Sequence, residues 1–307
     1  MSLLLRTPSP ACGKPALAGL LGLLLFASSA ALAGTSLNER RPAEPTGHVE
    51  VSNTAGTVSI SGWDRREVEV TGELGKGAER LEFETSGKVT HVRVILPKKT
   101  RNVESSELVI RVPAGSSIAV NTVSADVQVR GVQGSQRLQT VSANIDTESA
   151  AEDVECKTVS GDVEIRGSGA PTLLTLTTVS GDATVDRVAG EVNANTVSGD
   201  FRLDLGAVSR SRLRSTSGDM SMSGQLTADA RIDVEAISGD VRVDFDGPVN
   251  AEFDVSTFNG DIRNCFGPKP VRTSEYAPGR ELRFREGPGS GRVRIKTLNG
   301  DVDVCRR

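Results

Sequence analysis

Histidine is nearly absent from this chain, with 2 residues in 307, and aromatic residues make up 3%. Two histidines cannot build a His-rich metal cluster, and they make a His-centred catalytic triad a poor expectation. A single Trp and a single Tyr leave little for the stacking platforms that hold single-stranded nucleic acids. Positive charge is not in excess either. The chain has 36 basic and 40 acidic residues, and the basic Arg6 and Lys14 lie in an N-terminal segment without Asp or Glu. Without that segment the balance is 34 − 40 = −6, so no basic field for DNA or RNA remains. What the chain does have is 37% hydrophobic residues, enough for a core, and 32 glycines. The length fits one or two domains.

The N-terminus reads as an export signal over residues 1–33. Arg6 and Lys14 precede the apolar run Ala16 to Ala27, and small residues then lead to Ala31-Leu32-Ala33, an A-x-A cleavage signature. Cleavage is expected before Gly34. The alternative is an uncleaved anchor, since the apolar run approaches the ~20 residues that span a bilayer. Cys12 lacks a lipobox context, and no later segment is apolar enough to span. The expected location of the mature chain is therefore the periplasm or cell surface.

One phrase recurs through the rest. It reads TVSADV at Thr122, TVSANI at Thr140, TVSGDV at Thr158, TVSGDA at Thr178 and TVSGDF at Thr196. It continues as TSGDM from Thr216, AISGDV at Ala236, TFNGDI at Thr257 and TLNGDV at Thr297. Repeats of 18 to 21 residues mark a stacked array. Apolar residues alternate on both sides of each phrase, as in Leu174/Leu176 before and Val163/Ile165 after. Period two means a strand with one buried face. Each copy is thus strand, Ser/Asn-Gly-Asp corner, strand and second turn. Gly permits positive φ, and Asp can bond its local backbone. The fold class expected is all-β, a single-stranded β-solenoid of mainly parallel stacked coils, because one copy alone cannot bury its apolar face.

The expected organisation is a flexible segment at 34–45, irregular opening β-coils at 46–115 acting as a cap, and the regular array at 116–307. An insertion at 267–291, rich in Pro and Gly, accounts for the one spacing of 40 residues between copies. The opening GTVSISGWDRREVEVTGELG (56 to 75), LVIRVPAGSSIAVNTVSADV (108 to 127), the TVSGDV copies and the closing GRVRIKTLNGDVDV (291 to 304) resemble one bacterial family. It is the exported β-strand-repeat family labelled "putative adhesin", a domain of unknown function. The resemblance covers about residues 46 to 305. It implies a β-solenoid at the cell envelope and brings no catalytic residues with it.

The residues most open to a functional reading are the corner carboxylates Asp126, Asp162, Asp182, Asp200, Asp219, Asp240, Asp261 and Asp301. Stacked about 5 Å apart they have the spacing of a retaining glycosidase pair. A catalytic pair is unique, however, whereas this residue recurs in nearly every copy and is replaced by Asn144 in one. The turn-forming role is therefore expected, and calcium is not, because nonapeptide Ca²⁺ rolls have half this period. The corner threonines lie on the inward phase, where their hydroxyls would bond one another or the backbone. His48 and His91 read as ordinary surface or turn residues, and Gly72 to Gly77 as a hairpin loop without phosphate-loop spacing. Trp63 is expected to cover the open end of the core, with a sugar platform as the alternative.

Three cysteines follow the export signal. Cys156 takes an inward slot and should be a buried, inert thiol. Cys265 and Cys305 each lie eight residues after the Thr of their phrase. If the insertion is a loop within one coil, their Cα atoms would be about 4.8 Å apart, within disulfide range. If a degenerate coil intervenes, no bond can form. The bond is expected, clamping the insertion and the exposed C-terminal edge. No cofactor or metal is expected. The function expected is a non-enzymatic structural or binding scaffold, adhesin-like, with an envelope protein or glycan as partner. The alternatives are a carbohydrate-active enzyme on a β-helix and the ectodomain of an envelope-stress sensing system.

Overall fold

A computed structural model describes residues 35–97 and 104–307. The chain divides into Met1–Ala33 and Gly34–Arg307, and the fold is that of the second unit. The export signal, its cleavage point and Cys12 lie outside the described residues, as do residues 98–103.

Every described element is a strand. The first eleven are β1 (Thr35–Pro42), β2 (His48–Trp63), β3 (Glu67–Leu74), β4 (Arg80–Ser86), β5 (Val89–Ile95), β6 (Ser106–Pro113), β7 (Ser117–Arg130), β8 (Gln136–Gln139), β9 (Ile145–Ser149), β10 (Val154–Lys157) and β11 (Val163–Gly167). The rest are β12 (Pro171–Thr177), β13 (Ala183–Ser198), β14 (Phe201–Ser217), β15 (Met220–Ser238), β16 (Val241–Phe245), β17 (Ala251–Asn259), β18 (Ile262–Asn264), β19 (Val271–Arg272), β20 (Arg280–Glu286), β21 (Gly291–Asn299) and β22 (Val302–Arg306).

The strands pair into two ladders, one from the strand before each corner and one from the strand after it. Along the first, β2 pairs with β7, β7 with β8, β8 with β10, β10 with β12 and β12 with β13, all parallel. Along the second, β7 pairs with β9, β9 with β11 and β11 with β13. The longer β13, β14 and β15 bend through the second turn, so each contributes to both ladders. The register follows the repeat. Cys156 sits between Leu138 and Leu176, and Ile165 between Thr147 and Val185. Inward residues are therefore stacked on inward residues, and Val154, Leu174, Val192 and Val234 are all buried. Each aliphatic side chain removed from water in this way contributes roughly 1.5–3 kcal/mol, which favours this register over a one-residue slip.

At both ends the spatial order departs from the chain order. β21 pairs parallel with β15 on one side and with β17 on the other. β22 likewise lies between β16 and β18. The last copy of the repeat is therefore inserted beneath the one before it. The C-terminal edge expected to be exposed is interior, and the outer position belongs to β17 and β18. At the other end β2 lies between β7 and the pair β5 and β6. Antiparallel strands close the first ladder at each end, β4 on β5 and β20 on β17. On the second ladder β3 pairs antiparallel with β6, and β1 with β3.

Several local expectations are corrected. Within the segment expected to be flexible at 34–45, Thr35–Pro42 instead forms β1, and Arg40 ion-pairs with the buried Glu69. Trp63 does not cover an open end, since its strand lies inside the stack. Its indole N–H donates to the carbonyl of Glu67 at 2.8 Å, and Arg65 lies over its ring. Gly72 lies within β3 and Gly75 to Gly77 in the connection from one ladder to the other, not in a hairpin loop, and the hairpin is β4–β5. The insertion carries the seven-residue β20, whose Phe284 stacks on Phe253 with ring centres 4.4 Å apart.

Candidate functional site

The Thr-Val-Ser-Gly-Asp corner recurs on every rung of the regular array, and each of its residues has a separate task. Thr points inward. Thr122 donates its hydroxyl to the Ala125 carbonyl at 2.9 Å, and Thr257 to that of Gly300 at 3.0 Å. Thr140, Thr158, Thr196 and Thr297 have buried hydroxyl oxygens without a partner among the described residues. The fourth residue is Ala125 and Ala143 in the first two copies and Gly from Gly161 onward, where the backbones of successive corners almost touch. A Cβ on Gly239, which has φ 129°, would lie 2.3 Å from the Gly218 carbonyl oxygen.

The aspartates form a hydrogen-bonded ladder across the rungs. Asp126 Oδ1 accepts the N–H of Asn144, and Asn144 Oδ1 accepts that of Asp162. The series continues from Asp162 to Asp182, Asp200, Asp219 and Asp240. It then passes from Asp240 to Asp301 and from Asp301 to Asp261, following the spatial order rather than the chain. All eight bonds measure 2.8–3.0 Å. One oxygen of every corner carboxylate except the outermost, Asp261, is thereby committed to holding the next corner in register. The side chains themselves are exposed.

The second residue of the corner is the one that sequence reasoning passed over. Since Thr points in, alternation sends the following side chain out. Val123, Val141, Val159, Val179, Val197, Ile237, Leu298 and Phe258 are 41–55% exposed. The Ser142, Ser160 and Ser180 N–H groups donate to the carbonyls of Val123, Val141 and Val159, so neighbouring corners are stacked in register. The result is an apolar ridge, interrupted by Thr216 and running roughly 38 Å at about 4.8 Å per rung. The aspartate row lies on the same corner, three residues further along each copy. The signal was present in the sequence as an aliphatic residue on the outward phase of nearly every copy.

Cys265 and Cys305 are bridged, with Cα atoms 4.8 Å apart. The bond ties the outer copy, through β18, to the inserted copy, through β22. Cys156 is fully buried, and loss of hydration pushes its thiol pKa up to about 12. His91 Nδ1 lies 3.1 Å from a Glu50 oxygen, and His48 Nε2 lies 3.6 Å from the same carboxylate on its other side. The outer faces carry further ion pairs. Burial would raise the Asp146 pKa, but the hydrogen bond and charge of Arg130, with Arg166 beside them, hold it below the usual range. The Arg130 guanidinium is raised in turn, chiefly by its hydrogen bond to Asp146. Among the described residues no helix is long and apolar enough to cross a membrane.

Residues 46–305 match the family described as Toastrack DUF4097. No curated protein matches the chain. Among solved structures it is similar to a "putative adhesin" from Bacteroides fragilis NCTC 9343, at 10% identity and TM-score 0.43, covering 88% of this chain and 97% of that one. It is also similar to a "putative adhesin" from Parabacteroides distasonis ATCC 8503, at 11% identity and TM-score 0.40, covering 89% and 98%. A "putative cell adhesion protein" from Clostridium sporogenes ATCC 15579 matches at 11% identity and TM-score 0.21, covering 89% and 100%.

Proposed function

The chain belongs to the Toastrack DUF4097 family, and from that premise we propose that it is a non-enzymatic binding scaffold of the cell envelope. In this reading residues 1–33 export it, the mature chain begins at Gly34, and the two ladders wind as a β-solenoid. Its binding face is the corner ridge, which meets an envelope protein or glycan. The ridge is the observation that supports this most directly. It sets a half-exposed aliphatic side chain at the same place on rung after rung, beside a row of carboxylates. A contiguous apolar strip with a polar border is the surface character of an interaction site. A repeated face of this kind suits an extended partner, whereas catalysis needs a unique constellation. The corner aspartates up to Asp301 also each commit an oxygen to the backbone of the next rung, which is a structural use.

Retention from envelope extract by the immobilised mature chain, run beside a glycan array, tests the proposal. The comparison chain carries Val159→Ser, Val179→Ser and Val197→Ser together. The expected outcome is a partner or glycan bound by the parent and lost by the triple variant, with both chains melting alike. If no partner or glycan distinguishes the two chains, the ridge is overturned as the binding face. A polysaccharide-cleaving activity abolished by Asp162→Asn overturns the non-enzymatic reading.

A further inference from the structure

A second feature lies away from the ridge, on the outer face of the first ladder towards its C-terminal end. Cross-strand register places Asn193, Arg212, Asp233, Arg294, Asp254 and Arg283 side by side on successive rungs. Two residues earlier on the same strands, Glu191, Arg210, Arg231, Arg292 and Glu252 form a parallel row. Together with Ser290 these residues line a groove of about 880 Å³.

The charges in the groove are only partly matched. Arg210 pairs with Glu191 at 3.2 Å, Arg283 with Asp254 at 3.2 Å and Arg292 with Glu252 at 3.8 Å. Arg212, Arg231 and Arg294, all exposed, have no ion-pair partner among the described residues. They surround Asp233, its two neighbours in register being Arg212 and Arg294. Asp233 Oδ1 is itself buried and receives no hydrogen bond from the described residues. A buried carboxylate oxygen without a donor is costly, so this position calls for a donor from outside the chain.

We propose that this groove binds a linear anionic glycan, a hydroxyl-rich chain bearing carboxylates. Three unpaired guanidinium groups supply forked donors matched to carboxylate geometry. Asp233, together with the Glu191, Glu252 and Asp254 carboxylates, supplies acceptors for hydroxyl groups. A ligand must therefore offer both anionic acceptors and neutral donors, which a uronate-type sugar chain does. A polyanion without hydroxyls would bring no donor to the unpartnered Asp233 oxygen. The aromatic residue in the lining, Phe253, is fully buried, so bases of a single-stranded nucleic acid would find no exposed ring to stack on. The site is independent of the corner ridge.

Calorimetric titration of the mature chain with oligogalacturonate, neutral dextran and inorganic polyphosphate tests this. Oligogalacturonate should bind in a salt-dependent manner while dextran does not. Arg231→Glu with Arg294→Glu should weaken oligogalacturonate at least tenfold, and Asp233→Ala should weaken it measurably. The ridge variant should bind it as the parent does. Should the charge reversals lower the melting temperature, R231Q with R294Q carries the same comparison. Polyphosphate bound as tightly as oligogalacturonate would show a bare charge patch and overturn the proposal. So would oligogalacturonate binding that survives loss of both arginines, or no binding of it at all.

Discussion

Asp182 holds its rung to the next through one bond, from its Oδ1 to the Asp200 N–H at 2.9 Å. The bond is exposed, so removing it by Asp182→Ala should cost about 1 kcal/mol. Asp182→Asn keeps an acceptor in the same place, as Asn144 does naturally at 2.9 Å. It also removes repulsion from Asp162 and Asp200, each contributing roughly 1 kcal/mol or less in water at one rung's distance. The Asn variant should therefore be no less stable than the parent, and its relative stability should rise as salt is lowered. Asp162→Asn relieves one acidic neighbour instead of two, since Asn144 stands on its other side, and should respond more weakly. Urea melts at two salt concentrations measure this. A loss of stability in Asp182→Asn comparable with that in Asp182→Ala would mean that charge, not the acceptor, does the work.

The strands and turns that needed a partner far away in sequence are those where local pattern was weakest. Within the regular copies alternation was sufficient, because every inward residue meets an equivalent residue one rung on. β1 and β4 showed no such regularity, and β20 only a short stretch of it. They exist because a parallel stack ends in unpaired backbone groups, and a strand of either direction can satisfy them. The disulfide belongs to this level too. Its partners are 40 residues apart, so closing that loop should stabilise by roughly 3–4 kcal/mol in the chain-entropy model. Non-reducing peptide mapping should find Cys265 joined to Cys305. Cys156 should resist alkylation until the chain unfolds, since its thiol is buried and its pKa is raised by that burial to about 12. Reduction should lower the denaturation midpoint without altering the buried Cys156. Rapid alkylation of Cys265 and Cys305 without reductant would remove the bond and its contribution together.

For the Gly34–Arg307 unit as a whole, the inserted terminal copy has the largest consequence. β21 and β22 are paired on both sides, so a chain ending before Gly291 loses two interfaces rather than one. The outer copy, β17 and β18, would then be left facing β15 and β16 across an empty rung. In a stack closed in chain order, the same truncation would remove an outer rung and little else. Truncation should therefore lower hydrogen-exchange protection in β17, which keeps only β20 as a partner, and weaken it in β15, while the amides of β8 to β11 stay protected. Full protection of β17 in the truncated chain would contradict the inserted arrangement. Insertion at this end and at the β2 end also leaves the outer positions to copies followed or preceded by antiparallel strands. The parallel copies are then covered by antiparallel strands or, in β18, end in a strand of only three residues.

The sequence by itself determined the all-β class, the rung period, the inward phase of each strand and the residues of the corner. All of these follow from alternation within about 20 residues and from the backbone needs of a Gly-Asp turn. The cysteine slots were legible for the same reason, as equal offsets from equal phrases. Only the tertiary structure decided which copy lies next to which at the two ends. TFNGDI and TLNGDV carry nearly the same inward pattern, so either would pack on β15, and local sequence does not distinguish them. The choice depends on where the insertion can place β20 and its Phe284 against Phe253. The unpaired arginines around Asp233 were hidden likewise, because they come from β14, β15 and β21, and only the inserted order brings Arg294 beside Asp233.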